Sequence, residues 1–470
     1  MAESSCDAAV VAVTIEGSVH GISHQTQVSP HVIVDVAAVN GREVRDLDSE
    51  WVNSIKGKAS HEPRKIKASF SSSFIHRIPP NLRHFDKKTY VPQIISIGPL
   101  HYAKRRCVLQ AMEEHKWRYL QAILGRNGED WLLQCLGKVK QLEEQARKCY
   151  SEEIDGLDSR SFVEMLVLDA CFIIEFFCRF SGIISSDPGD PILNLVLCPT
   201  VITDLIMLEN QIPFFILQEL FNLMDISDSS LPEMARAVFK KSSSLRCMFT
   251  ESRINYCDLQ CHHLLHFLHL NCLLSFENED PPSKHPGPIP CASELQEAGI
   301  KFKKGDASSF LQIKYREGNI EIPSLEISPM AEPMLLNLVS FEQCCPHIEP
   351  RITSYVLFMD QLVNSTRDVK LLSQKGIIIE DLGSSEDIAA LFNKIGRDVW
   401  MDYEENYLNS VSERIRQRTK SYWPRLRATL MRDYFNNPWA FISFLAAVVL
   451  LVFTFFQTFF STFPKFQLQK

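Results

Sequence analysis

Between Asn436 and Pro464 the chain carries no charged residue, and Trp439 to Phe463 is a run of 25 residues dominated by Phe, Leu, Val and Ala. At about 1.5 Å of rise per residue, roughly 20 such residues cross the hydrocarbon core of a bilayer, so this run spans it with room for tilt. A buried core helix is the competing reading, but a charge-free apolar run of this length passes the usual threshold for a membrane helix. Asn436, Asn437, Pro438 and Trp439 make an interfacial start. Upstream, 413–432 holds Arg414, Arg416, Arg418, Lys420, Arg425, Arg427 and Arg432 against Glu413 alone, whereas only Lys465 and Lys470 follow the helix. That bias places the N-terminal side in the cytosol and a short tail, 464–470, across the membrane. The expected arrangement is single-pass and tail-anchored, with the bulk of the chain cytosolic at a plasma membrane or endomembrane. With Tyr422 and Trp423 interleaved, the basic run would also rest on anionic headgroups, although a solvated helix face explains the same residues.

A chain of 470 residues is long enough for one large or two intimate domains with a substantial core. Its formal charge of -8 and pI near 6.0 argue against nucleic acid as a partner, which calls for a basic domain or stripe. Met1 to Cys6 leads into no apolar stretch with a basic front, so no secretory signal is expected. Fourteen cysteines, among them Cys107, Cys171 and Cys178, are then expected to stay reduced as small core residues, without a disulfide framework.

Residues 1–70 are mixed and polar and read as a loosely ordered extension. From Phe74 the proline-rich stretches Ile75 to Pro80 and Tyr90 to Pro99 read as extended segments and turns. Val108 to Leu120 and Trp131 to Tyr150 have helical spacing. Ser161 followed by Glu164 is a capping-box pattern ahead of the apolar run Met165 to Phe180, which is apolar almost all round and belongs at the centre. Thr200 to Phe221 is equally apolar, with Pro213 breaking it; these two segments are the expected main core. Asn278 to Pro290, charged and rich in Pro, reads as an internal linker or an exposed loop. Ser309 to Tyr315 and Asn319 to Pro323, flanking Glu317-Gly318-Asn319, read as a hairpin. Pro333 to Cys344, Thr353 to Val363, Asp368 to Gln374, Ser385 to Arg397 and Tyr403 to Asp433 return to helical spacing. The expected fold is therefore mainly α with a small β-hairpin: a large helical domain over 74–435 plus one C-terminal transmembrane helix, 439–463.

Several ordered segments resemble a plant family, the domain-of-unknown-function 247 proteins, also known as uncharacterised protein family 0481. They are Ile75-His76-Arg77-Ile78-Pro79, Tyr90-Val91-Pro92, Ser96 to His101, Met112 to Leu120, Asp204 to Phe215, Ala292 to Phe302, Glu321-Ile322-Pro323, Asn337-Leu338 with Phe341 to Cys344, and Arg427 to Trp439. The chain departs from the family pattern at Asp169-Ala170-Cys171, where relatives often have Gly in place of Ala, and at Ser328 to Glu332, which is less polar. The resemblance implies a mostly helical plant membrane protein with no established activity and no catalytic residues to carry over. Some grass relatives are linked to self-recognition in pollination, which points loosely to a recognition role.

Two groups of residues invite chemistry. Cys257, Cys261, His262, His263, His266 and His269, with Cys247 and Cys272 nearby, are zinc-ligand types. On a helix Asp258, His262, His266 and His269 would share one face, but that face is too long for one ion and no paired C-x2-C knuckle is present, so the histidines read as the polar side of an amphipathic helix. Asp169, Glu175, Asp204 and Glu209 are carboxylates in apolar surroundings, where raised pKa values and acid-base roles arise; structural pairing with Arg, Lys or backbone is the commoner outcome. No P-loop, dinucleotide fingerprint, H-E-x-x-H or G-x-S-x-G occurs. No catalytic, cofactor or metal residue is therefore assigned. The function read from the sequence is a membrane-anchored interaction or signalling module with a protein partner and with membrane lipid around its helix. An enzyme with an unrecognised acid-base site, and a metal- or small-ligand receptor, are the rivals.

Overall fold

The computed structural model describes residues 73–83, 89–105, 109–242, 260–274, 286–306, 309–420 and 438–462, less a few positions within these ranges, together with Leu245, Phe249 and Phe276. The extension 1–70, the tail 464–470, Arg425, Arg427, Arg432 and most of the loop 278–290 lie outside the described residues.

A single turn, α1 (Tyr102–Arg105), precedes α2 (Gln110–Asn127) and α3 (Glu129–Lys148). The two long helices are separated only by Gly128, whose φ of 83° is one that side-chain-bearing residues avoid. Helix α2 buries Met112, Lys116, Tyr119, Leu120 and Ile123, the three-and-four spacing of one helical face.

Helix α4 (Ser159–Ser181) packs against both of them, and every residue from Met165 to Cys178 is buried. Each fully buried Leu, Ile or Phe side chain there contributes roughly 1.5–3 kcal/mol. The helix does not start at Ser161, as the Ser161/Glu164 pattern suggested. Asp158 caps it one turn earlier, its carboxylate accepting the Ser161 amide at 2.9 Å. Gly182, left-handed at φ 77°, ends it.

Thr200 to Phe221 divides into α5 (Leu197–Leu205), an irregular segment at 206–213, and α6 (Phe214–Asn222). Pro213, at φ -58° and ψ 133°, stands just outside α6, where its missing N–H is harmless. Helix α7 (Leu231–Lys241) begins at a Ser230/Glu233 capping box, and α6 and α7 both pack on α4. Helices α8 (Leu264–Leu273) and α9 (Ala292–Glu297) lead into the strands.

Strands β1 (Lys301–Gly305), β2 (Lys314–Arg316) and β3 (Asn319–Pro323) form a sheet of order β1-β3-β2. The expected hairpin is present as the antiparallel β2–β3 pair, but its first strand begins at Lys314 and not at Ser309, since 309–313 form a turn. The hairpin residues Glu317 and Gly318 both have positive φ, 50° and 80°, as a tight two-residue turn requires. Strand β1 joins β3 in parallel, and β4 (Leu325–Ile327) pairs in parallel with β5 (Ile378–Glu380). Neither parallel pairing was expected. Helices α10 (Ala331–Cys344), α11 (Arg351–Leu362), α12 (Thr366–Gln374), α13 (Ser385–Ile395) and α14 (Asn409–Lys420) complete the domain, whose buried apolar side chains form one contiguous core from Ile75 to Ile415. The last helix, α15 (Pro438–Thr462), is of another kind. No residue of its apolar stretch Ile442–Phe459 is buried, and the helix is long and apolar enough to cross a membrane.

Candidate functional site

Three of the four buried carboxylates, Asp204, Glu209 and Asp169, hold the proline-rich segment 78–98. Asp204 accepts the amides of Gln93, Ile94 and Ile95 at 2.8–2.9 Å. Burial pushes its carboxyl up to about 6, with the three amides pulling the other way. Glu209 accepts the Ile78 amide at 2.7 Å, pairs with Arg83, and lies 3.8 Å from the Arg77 guanidinium and 3.3 Å from His101 Nε2. Burial works to raise the Glu209 carboxyl, but His101, the Ile78 amide and the Arg83 charge together hold it below its usual range.

Directly after Glu209, the Asn210 amide accepts from Ile97 and donates to Ile95 and Asp204 carbonyls, and Gln211 donates to the carbonyls of Leu205 and Met207. Asp169, on α4, takes the Gly98 amide at 2.8 Å and Lys116 Nζ at 2.7 Å, and Lys116 and Asp169 are both fully buried. The polar side chains of 204–211 and α4 thus clamp the proline-rich segment 78–98, whose irregular backbone would otherwise be buried without partners. Glu175 is held by Arg126 and by Arg179 Nε at 2.7 Å. In each case the carboxylate is engaged as an acceptor for the fold.

The histidine cluster is also placed, with a correction. Cys247, Cys257 and Asp258 lie outside the described residues, and α8 begins only at Leu264. His263, His266 and His269 are not on a polar side; all three are buried. The reason is local: His263 is the cap of α8, its Nδ1 accepting the His266 amide at 3.1 Å, which leaves Nε2 to donate to the Phe74 carbonyl at 3.0 Å. His266 Nδ1 accepts the His262 amide at 3.2 Å, and His269 Nε2 meets Glu342 at 2.8 Å. Glu342 also takes the Ile352 and Thr353 amides at the start of α11. The His262 and His266 rings stack 4.8 Å apart, and Phe341 lies against three of the four imidazoles. Burial lowers His262 to about 4, His263 to about 3 and His266 to about 2, neighbouring imidazoles adding to the effect. Among the described residues no three His, Cys, Asp or Glu groups are placed to hold one metal ion.

One feature no local pattern announced is a groove of about 860 Å³ where α2, α3 and α4 meet. Trp117, Leu120, Leu132, Leu136, Val163 and Val167 line it, with Lys140 and Arg160 at its edge. A smaller hollow of about 290 Å³, lined by Tyr102, Gln110, Glu113 and Met165, adjoins it and shares Trp117, Glu164 and Leu168. Trp117 is 48% exposed. The surface is mainly apolar, and its charged lining is mixed: Asp158 and Glu164 with Lys140 and Arg160.

A family model described as DUF247, plant protein of unknown function, matches residues 75–453. The UPF0481 protein At3g47200 of Arabidopsis thaliana is 31% identical over 421 residues, 83% of this chain and 86% of the relative. The putative UPF0481 protein At3g02645 of the same plant is 21% identical over 518 aligned positions, 89% of this chain and 96% of the relative. No solved structure matches.

Proposed function

The chain belongs to the plant DUF247 family of unknown function, and from that premise we propose that it is a single-pass, membrane-anchored protein-interaction module with its helical domain in the cytosol. The observation that carries this reading is α15: twenty-five residues, apolar, and exposed where the similarly long α4 is buried. An exposed apolar helix of that length is stable in hydrocarbon and a liability in water. The basic residues of α14 ahead of it and the ten cysteines that stand outside any disulfide among the described residues support a cytosolic side. A chain ending at Asp433 is expected to leave the membrane fraction, and the full chain to resist carbonate extraction. Carbonate resistance of the shortened chain would overturn the reading.

The groove on α2–α4 supports the interaction half. Its occupant in this reading is an amphipathic helix of a partner protein, its apolar face laid on Trp117, Leu120, Leu132, Leu136, Val163 and Val167. A photo-crosslinker replacing Trp117 is expected to join a partner segment of amphipathic helical pattern, whereas one replacing Trp400 is not. Adducts to segments without such a pattern would refute the helix-in-groove assignment. The groove's volume also suits a small ligand, the second reading, and that alternative predicts crosslinks to small molecules alone.

A further inference from the structure

We propose that the outer face of the β1–β3–β2 sheet, together with α14, docks on an anionic lipid surface, so that the domain lies against the bilayer its C-terminal helix enters. The register assembles this face. Lys301 and Lys303 of β1 stand beside Asn319 and Glu321 of β3, which stand beside Arg316 and Lys314 of β2. Strand alternation sets these six residues on one side and Phe302, Ile320 and Tyr315 on the other, where Phe302 and Ile320 are buried in the core. The outer face therefore carries four cations and one carboxylate. Helix α14 packs on the edge strand β2, with Arg414 and Arg418 near Tyr315, and its Arg414, Arg418 and Lys420 are exposed.

Within 301–323 there are five basic and three acidic residues, and within α14 four and one, a net excess of five in a chain whose formal charge is -8. Ordinary surface charge accounts for the row Lys303–Glu321–Lys314, where the carboxylate sits between two lysines. The row Lys301–Asn319–Arg316 holds two cations and no acid of its own, so the positive excess of the face is greatest there.

A bilayer is favoured over nucleic acid by the tether. Seventeen residues, 421–437, separate Lys420 from Pro438, so at about 3.5 Å each they cannot carry the basic face further than roughly 60 Å from the start of α15. This argument rests on α15 being the membrane anchor. Held that close, the face meets a negatively charged leaflet at high effective concentration, and each Lys or Arg at the surface tightens docking roughly fivefold.

The test uses the full chain reconstituted in vesicles of phosphatidylcholine alone or phosphatidylcholine with phosphatidylserine, with outward-facing lysines acylated by a water-soluble reagent and quantified by mass spectrometry. Co-flotation with both vesicles is expected. Lys301, Lys303 and Lys420 should be protected several-fold only with phosphatidylserine, and high salt should abolish the protection, while Lys148 reacts equally throughout. Replacing Lys301→Gln, Lys303→Gln and Arg316→Gln together should remove the protection of Lys420 at an unchanged melting temperature. Equal acylation in both lipids, with co-flotation intact, would overturn docking and leave the anchor reading standing. Failure to float with phosphatidylcholine would overturn the anchor reading, and phosphatidylserine-dependent flotation and protection would then still uphold docking. Equal protection by transfer RNA without vesicles would make the surface a nucleic-acid site and overturn the lipid assignment.

Discussion

The histidine cluster at the start of α8 makes the stability of the domain depend on acid in a calculable way. His263 and His266 are neutral in the fold, lowered to about 3 and about 2, whereas an unfolded chain protonates them near 6.5. Their contribution is therefore complete above about pH 6.5 and is lost as the pH falls towards the folded values. At pH 5, about 1.5 units below the unfolded pKa, each costs roughly 2 kcal/mol relative to pH 8. Asp204 acts in the opposite sense. Its folded pKa is raised to about 6, so protonation favours the fold as the pH drops and returns roughly 1–1.5 kcal/mol by pH 5. The three together leave a loss of about 2.5–3 kcal/mol, to which His262, lowered to about 4, adds in the same direction. His266→Asn isolates one part, because the Asn Oδ1 replaces Nδ1 as acceptor for the His262 amide and does not titrate. Urea unfolding of the full chain in detergent, followed by circular dichroism at pH 8 and pH 5, should show the variant losing about 2 kcal/mol less than the native protein. An identical acid loss in both proteins would refute the burial of a neutral imidazole as the cause.

Lys116→Met leaves the Asp169 carboxylate buried without its cation and should cost about 3–5 kcal/mol, most of it recovered when Asp169→Asn is added; absence of recovery in the urea midpoint would show that lost packing, not the stranded charge, is responsible. Gly98 has φ 70°, and a Cβ there would sit 2.2 Å from the Gln211 carbonyl oxygen, so Gly98→Ala should lower stability by more than the roughly 1–2 kcal/mol of left-handed backbone alone, which thermal unfolding checks. Asn364, exposed in the acceptor pattern Asn364-Ser365-Thr366, should remain unglycosylated, as should an acceptor added in the N-terminal extension, while one added on a long enough tail after Lys470 is modified; modification of the N-terminal acceptor would put the domain outside the cytosol.

What was legible in the sequence is what depends on near neighbours. The charge-free run reads directly as α15, and Glu317-Gly318-Asn319 announces the hairpin because a two-residue turn has strict backbone demands. The start of α4 was misplaced because Asp158 and Ser161 are both competent caps, and only the finished helix shows which one is used. Strand β1 was hidden: of its five residues three are lysines, and its partner β3 is parallel to it and lies beyond an intervening strand. The buried setting of Asp169, Glu175, Asp204 and Glu209 could be read from their apolar neighbours. Their partners could not, since Lys116, Arg126 and the amides of 93–95 lie about 50 to 110 residues away. The groove on α2–α4 needs three helices in place before it exists.

The clamp on the proline-rich segment also sets a timetable for synthesis. Ile94 and Ile97 wait for partners 110 and 113 residues further along, Ile78 for one 131 residues on, and the Thr89 carbonyl for Asn337, 248 residues later. At a translation rate of about 5–20 residues per second, these four groups leave the ribosome and stay without these partners for roughly 5 seconds at the least. During that interval Ile95 and Ile97, both buried in the finished domain, are open to chaperones and to other nascent chains. The stretch of the domain made first is thus among the last to find its place.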